Sequence, residues 1–332
     1  MIKFIFTSFV SFILIFLIVI GSVVWWGKAK YEEPQNFEII RTFIIKPGES
    51  FDIISQNLST QNLINNLYVL KFGIIFTQNQ KKLKFGEYEI PKNASMSDIV
   101  NLIVSGETKI HKLVIPEGFS TWQVIERIKS EELLSGDVII LPLEGSLAPQ
   151  TYLFSRGDDR EALLSKMKNR QTSILDNAWN NRVEGLPFEN KFEVLKLASI
   201  IEEEASLADE RKIIASVFIN RLKKKMKLQT DPSVIYGITR GEYNLGRGLL
   251  LSELRNLTPW NTYKIKGLPL TPISNPGEAS IYAATNPALT DFLYFVANGS
   301  GGHWFAKSYQ KHTENVKKWR KIEERRKNES ND

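Results

Sequence analysis

Three consecutive glutamates, Glu202, Glu203 and Glu204, close an apolar helical run that begins at Lys191, KFEVLKLASIIEEE. A carboxylate costs free energy wherever it leaves water, so such a run is either a solvated edge or a site. At about 100° per residue, Val194, Leu197, Ala198, Ile201 and Ala205 gather on one face. That geometry sends Glu203 towards solvent and leaves Glu202 and Glu204 on opposite borders of the apolar stripe. A carboxyl half desolvated in a cleft there has its charged form disfavoured and its pKa raised. This is the condition a general acid needs near neutrality. A surface ion pair with Lys196 or Arg211 would account for such a glutamate as well, and spacing alone does not separate Glu202 from Glu204. Ser206 with Asp209 reads as a cap opening the next helix.

Polar, turn-rich segments follow. LQTDPSVIYG supplies Gln229, Thr230, Asp231 and Tyr236; NTY supplies Asn261 and Tyr263; NGSGG, from Asn298, joins two strands and leads into His303 and Trp304. Asp231 ahead of Pro232 also fits a helix N-cap, and His303 fits a structural strand end. The proline-rich run GLPLTPISNPG is stiff and irregular, suited to walling a groove. Amides, hydroxyls and aromatic rings hydrogen-bond hydroxyl and acetamido groups and stack on sugar faces. Phosphate recognition would instead call for Arg and Lys clusters or a glycine-rich loop. A neutral carbohydrate is therefore the ligand class expected.

Composition narrows the field further. The 332 residues contain no Cys, which removes thiolate and disulfide chemistry. The His residues, 111, 303 and 312, are too scattered for a metal cluster, so neither a metal nor a cofactor is expected. Net charge is a modest +6, and the basic tail from Glu314 to Asp332 reads as a solvated helix. The interleaved basic and aromatic face of a nucleic-acid binder is missing.

The elements that must position these groups can be taken in chain order. Phe4 to Trp26 carry no charge and are long enough to cross a ~30 Å hydrocarbon core, ending in Trp25 and Trp26 with Lys28 and Lys30 beyond. The run is longer than a signal-peptide core and lacks a small-residue cleavage site. It reads as an uncleaved anchor whose orientation the flanking lysines leave open. RTFII then reads as a strand, Ser50 as the cap of FDIISQNLS, LINNLYVLKFGIIF as a helix, FGEYEI as a strand and Ser95 to Val104 as a helix. FIIKPGESFDII is echoed by LVIPEGFSTWQVI, where Ser120 and Gln123 form a capping box. Residues 143–154 read as loop then strand, and 161–183 as an amphipathic helix. The fold class expected is α+β.

Together ASIIEEEA, ERKIIASVFINRL, LQTDPSVIYG, NTY, GLP, NPG and GHWF, in this order from Glu144 to His312, resemble the endolytic murein transglycosylases, the YceG-like or MltG family. The resemblance implies three parts: a stub and single transmembrane helix over residues 1–30, a small LysM-like module over 41–108, and a mixed α+β YceG-like catalytic domain over 109–332 ending in a charged helix. It implies a lyase in the cell inner membrane with its catalytic domain in the periplasm. That enzyme cleaves the N-acetylmuramic acid to N-acetylglucosamine β-1,4 bond of nascent peptidoglycan and leaves 1,6-anhydro ends. The second acidic position of the family's Ile-Glu-x-Glu motif falls on Glu204, which chooses it over Glu202. Gln229, Thr230, Asp231, Tyr236, Asn261, Tyr263 and Asn298 are expected to bind glycan, with Glu202, Glu144, Tyr152 and His303 in support. Peptidoglycan strands and the membrane are the expected partners, and a peptidoglycan synthase is a further one. The family's Glu-Gly-x-x-x-Pro-Asp-Thr-Tyr stretch has Gln150 in place of Asp here, so any electrostatic role of that Asp is missing. A muramidase-type hydrolase and an inactive membrane-tethered glycan binder are the rival readings.

Overall fold

The computed structural model describes residues 2–329 of the chain, so the last three residues of the expected basic tail lie outside the described residues. Two compact units emerge, residues 2–111 with Leu153–Gly157, and 112–152 with 158 onward.

The first unit opens with α1 (Ile2–Glu32). Its stretch Phe6–Glu32 is long and apolar enough to cross a membrane; its apolar span stays outside the core, and Tyr31 near its end is buried. After it, β1 (Arg41–Ile45) pairs antiparallel with β2 (Gly86–Ile90), Phe43 opposite Tyr88. Between them run α2 (Phe51–Thr60) and α3 (Leu67–Phe76), and α4 (Met96–Ser105) follows. The helix α3 starts later than the sequence suggests. Asn66 Oδ1 accepts from Tyr68 N at 3.0 Å and Val69 N at 3.1 Å, which caps the helix there, while Leu63 and Ile64 enter the core as irregular chain. Alternate residues of both strands and one stripe of each helix meet in a closed core of Phe43, Tyr88, Leu58, Leu70, Ile99 and Ile103.

In β3 (Ile110–Val114) and β4 (Thr151–Ser155) the chain passes from one unit to the other, with α5 (Thr121–Lys129) between them. The expected Ser120–Gln123 capping box opens α5. In the second unit α6 (Arg160–Asn180) precedes α7 (Lys191–Glu204). The predicted Ser206–Asp209 cap does not form. A 3-10 turn, Ala208–Glu210, without a side-chain cap leads into α8 (Arg211–Lys223). Then come α9 (Asp231–Thr239), α10 (Leu251–Arg255), α11 (Glu278–Thr285), the hairpin β5 (Tyr294–Ala297) and β6 (His303–Ala306), and α12 (Tyr309–Glu329).

The centre of this unit is α7. Asn190 caps its start, accepting from Glu193 N at 3.2 Å, and α6, α8, α9 and α11 all pack on it. Val194, Leu195, Leu197, Ala198, Ile200 and Ile201 are buried. Each large aliphatic here contributes about 1.5–3 kcal/mol by leaving water. The helix ends at Glu204 because Ala205 turns to extended backbone, φ −92° and ψ 92°. Glu204 is thereby fixed at the end of a helix that is packed on by four others.

Candidate active site

The three glutamates meet three different environments. Glu202 is closed off: its side chain is only 6% exposed. Its Oε1 lies 3.4 Å from Arg211 Nη2, and its Oε2 accepts from Gly277 N at 2.9 Å. Glu117 shares the same guanidinium at 3.5 Å. A Cβ on Gly277 would collide with the Glu117 carboxyl, so the Asn-Pro-Gly turn needs glycine at this point. The ion pair foreseen for one of the glutamates therefore belongs to Glu202, which does not border an open cleft.

Glu203 is the most open of the three, but it does not simply face solvent. It lines a cleft of about 310 Å³ with Gly118, Gln123, Tyr236 and Ile273. Desolvation, with smaller repulsions from Glu202 and Glu204, pushes its carboxyl up to about 7, while a hydrogen bond to Ser274 draws it down. Helical periodicity is right about its outward direction, and what periodicity cannot show is the cleft beside it, made where loop residues 117–118 and 273–277 fold back beside the end of α7.

Glu204 stands on a separate cavity of about 500 Å³, shared with Arg221, Gln229, Asp231, Tyr263, Tyr294 and His312. Among the described residues it has no salt bridge. Burial raises its pKa. The Thr230 hydroxyl beside it opposes that rise, Asp231 adds to it, and the more distant His303 and Arg221 oppose it. Thr230 Oγ1 is fully buried and makes no hydrogen bond of normal geometry, so it sits against the carboxyl as an incompletely used donor. A protonated carboxyl beside an unspent hydroxyl at the floor of an aromatic cleft can give a proton to a bound oxygen and take one back.

The residues around this acid divide into those that face the cavity and those spent on scaffolding. Gln229 is exposed at the cavity in left-handed backbone, φ 53°, a conformation that is strained for a residue with a Cβ. Asp231 does not cap α9. Thr230 occupies the cap position, and Asp231 accepts from Tyr263 Oη at 2.6 Å inside the cavity. Burial and this acceptor raise the Tyr263 pKa. Tyr236 lies on the Glu203 cleft rather than the Glu204 cavity and donates to Glu144 at 3.0 Å. Asn261 is buried, its amide spent on the carbonyls of Asn256 at 2.6 Å and Leu254 at 3.2 Å, where it ties down the end of α10. Asn298 Oδ1 accepts from Ser300 N at 2.8 Å and Gly302 N at 3.3 Å, and so builds the β5–β6 turn. Neither asparagine offers its amide oxygen to the cavity.

The supporting residues are equally distinct. Glu144 accepts from Thr121 N at 2.7 Å, Tyr236 Oη at 3.0 Å and Asn275 Nδ2 at 3.4 Å, a knot in which desolvation still raises its pKa. Tyr152 is buried and donates to Ala148 O at 2.7 Å. His303 pairs through Nδ1 with Glu210 Oε2 at 2.6 Å and stands edge-on to Phe295.

Sequence reasoning missed Arg221, Tyr294, Tyr309 and His312 on the cavity wall. Arg221 is one of two basic residues in the last turn of α8. It is buried and held by Leu293 O at 2.6 Å and Leu228 O at 2.7 Å, with its guanidinium 5.3 Å from the Tyr294 ring. The available signal was an arginine inside a stretch whose other residues are almost all apolar.

Fold and site together define an α+β protein with one long apolar N-terminal helix and, at the end of α7, a carboxyl without a salt bridge in an aromatic-walled cavity. The sequence profile of the YceG-like family matches residues 43–318, and the chain belongs to that family. It is 30% identical over 91% of both chains to a Bacillus subtilis protein named endolytic murein transglycosylase. A Streptococcus pneumoniae protein of the same name is 26% identical over 75% of this chain, which spans only 54% of that relative's length. The crystal structure of a YceG-like protein from Listeria monocytogenes superposes with a TM-score of 0.50 at 32% identity, covering 83% of this chain and 98% of that one.

Proposed function

We propose that this chain is an endolytic murein transglycosylase, a lyase that cuts the β-1,4 bond between N-acetylmuramic acid and N-acetylglucosamine within glycan strands. The observation that carries the reading is the contrast at the end of α7: of two acids flanking the apolar stripe, only Glu204 is unpaired and opens on a cavity. Protonated Glu204 donates to the glycosidic oxygen as the bond to the muramic anomeric carbon breaks. The oxocarbenium-like centre is met by the substrate's 2-acetamido oxygen. The muramic 6-hydroxyl then attacks that carbon and its proton returns to Glu204. One carboxyl serves both steps and no water is consumed. Gln229, Asp231 and Tyr263 grip the sugar at the cavity, while Thr230, expected to bind glycan, is buried behind Glu204 and acts on that carboxyl instead. Tyr236 and Glu144 shape the neighbouring cleft, while Asn261 and Asn298 act indirectly by holding loops.

In the same reading α1 is a single-pass anchor in the cell inner membrane, with the catalytic unit on the periplasmic side. The strand-helix-helix-strand unit is LysM-like and meets glycan. Nascent strands as substrate make a peptidoglycan synthase a natural neighbour. The hydrolase rival needs a second acid to activate water, and Asp231 is the one carboxyl beside Glu204 among the described cavity residues. Glu204→Gln, close in size and still able to hydrogen-bond, tests the assignment. It should lose cleavage of purified glycan strands while retaining strand binding and thermal stability. Cleavage at the wild-type rate would overturn it.

A further inference from the structure

In the first unit, α3 turns one stripe inward and the other outward. Val69, Leu70, Gly73 and Ile74 enter the core. Tyr68, Phe72, Ile75 and Phe76, spaced to fall on the opposite stripe, remain 83%, 50%, 52% and 71% exposed. A contiguous aromatic and aliphatic face of this kind is not left to water in a soluble unit without a reason. Its only charged residue, Lys71, is drawn aside to Asp52 at 2.5 Å and lies near the Phe51 ring.

The neighbour of this face is the apolar helix itself. Val19, Val23 and Trp26 of α1 share a groove of about 320 Å³ with Tyr68, Val69 and Phe72. Further along, the Tyr31 ring packs directly on Gly73, leaving no room for a side chain there. A bilayer that accommodates Phe4 to Trp26 places Val19 and Val23 within one leaflet, because about five residues span each 7–8 Å of depth. Side chains that share a groove with those valines lie at the same depth. Trp25 and Trp26 mark the leaflet's boundary, and Lys28 beyond them is exposed to meet headgroups.

We infer that α3 is an interfacial helix, with Tyr68, Phe72, Ile75 and Phe76 seated among lipid headgroups and upper acyl chains beside the anchor. The partner is the lipid surface, and the seat extends the contact that α1 already makes. Two helices then hold the first unit on the membrane, so it cannot swing on a flexible tether. The inference rests on the anchor reading of α1.

The chain has no cysteine, so single cysteines can be introduced and spin-labelled in the full-length protein. Tyr68→Cys, Phe72→Cys and Phe76→Cys are each measured in phosphatidylcholine–phosphatidylglycerol vesicles. Ile13→Cys in the span and Gln56→Cys on exposed α2 serve as references, with thermal unfolding checked for every variant. Collision rates with oxygen, which concentrates in lipid, are compared with those of a water-soluble nickel chelate. Oxygen should exceed nickel several-fold at 68, 72 and 76, as at 13, with the order reversed at 56. Nickel-favoured labels at 68, 72 and 76 with a lipid-exposed label at 13 would overturn the interfacial helix and leave the anchor standing. A water-exposed label at 13 would overturn the anchor and the inference with it. Shielding of 68, 72 and 76 from both reagents would mean that protein, not lipid, covers the face, and would also overturn the inference.

Discussion

Two polar clusters in the second unit are built from the same residue types to opposite ends. Around Glu144, every strong donor nearby is spent: the Thr121 and Gly145 amides, the Tyr236 hydroxyl and the Asn275 amide converge on one carboxyl. Around Glu204, the carboxyl has no cationic partner in contact, the Thr230 hydroxyl is not fully used, and Gln229 is held in strained backbone facing open space. A satisfied buried network specifies structure. One left incomplete beside a cavity costs stability and is kept where a ligand completes it. Glu202 and Glu204 repeat the same contrast on a single turn of helix.

The largest effect that would sharpen this contrast is on rate. Glu204→Gln should slow glycan cleavage by about 10³-fold, within the range for removal of a general acid. Glu202→Gln should act mainly on stability, because it weakens the hold on Arg211 and Gly277. Next comes the closed cluster. Glu144→Ala takes the acceptor from the Thr121 and Gly145 amides and the Tyr236 hydroxyl and should destabilise the second unit by about 3 kcal/mol, read as a shift in chemical denaturation midpoint at unchanged slope. A neutral result there would break the distinction between the clusters.

Smaller effects lie in pH dependence. Glu204 must be protonated to donate, so kcat/KM falls as pH rises through its raised pKa. The Thr230 hydroxyl lowers that pKa and Asp231 raises it. Thr230→Val should therefore move the basic limb to higher pH and Asp231→Asn to lower pH, and movement in one direction for both would contradict the electrostatic picture. The smallest effect belongs to Glu203. Its folded pKa, about 7, exceeds the unfolded value. The folded state keeps a proton that the unfolded state has released, and stability declines as pH rises between the two values. Glu203→Gln should leave Tm unchanged in acid and raise it above neutrality.

Much of this was legible because it is local. The Ser120–Gln123 box, the β5–β6 hairpin and the end of α7 depend on residues a few positions apart. The family motif pointed to Glu204 where periodicity could not. What sequence could not show depends on distant chain. The cleft beside Glu203 is walled by segments far away in sequence, and Arg221 is held by carbonyls of residues 228 and 293. Asn261 and Asn298 share a side chain with many sugar-binding residues, and only the fold shows that backbone amides and carbonyls consume theirs. Asp231 before Pro232 looked like a cap until Tyr263, 32 residues away, proved to hold it.

The central claim is that one carboxyl breaks the glycosidic bond without water. Digestion of purified glycan strands in heavy-oxygen water, with mass spectrometry of the product ends, tests it most directly. The account predicts 1,6-anhydro muramic ends that carry no solvent oxygen. Reducing ends that carry the heavy isotope would contradict it and make Asp231 the activating base of a hydrolase.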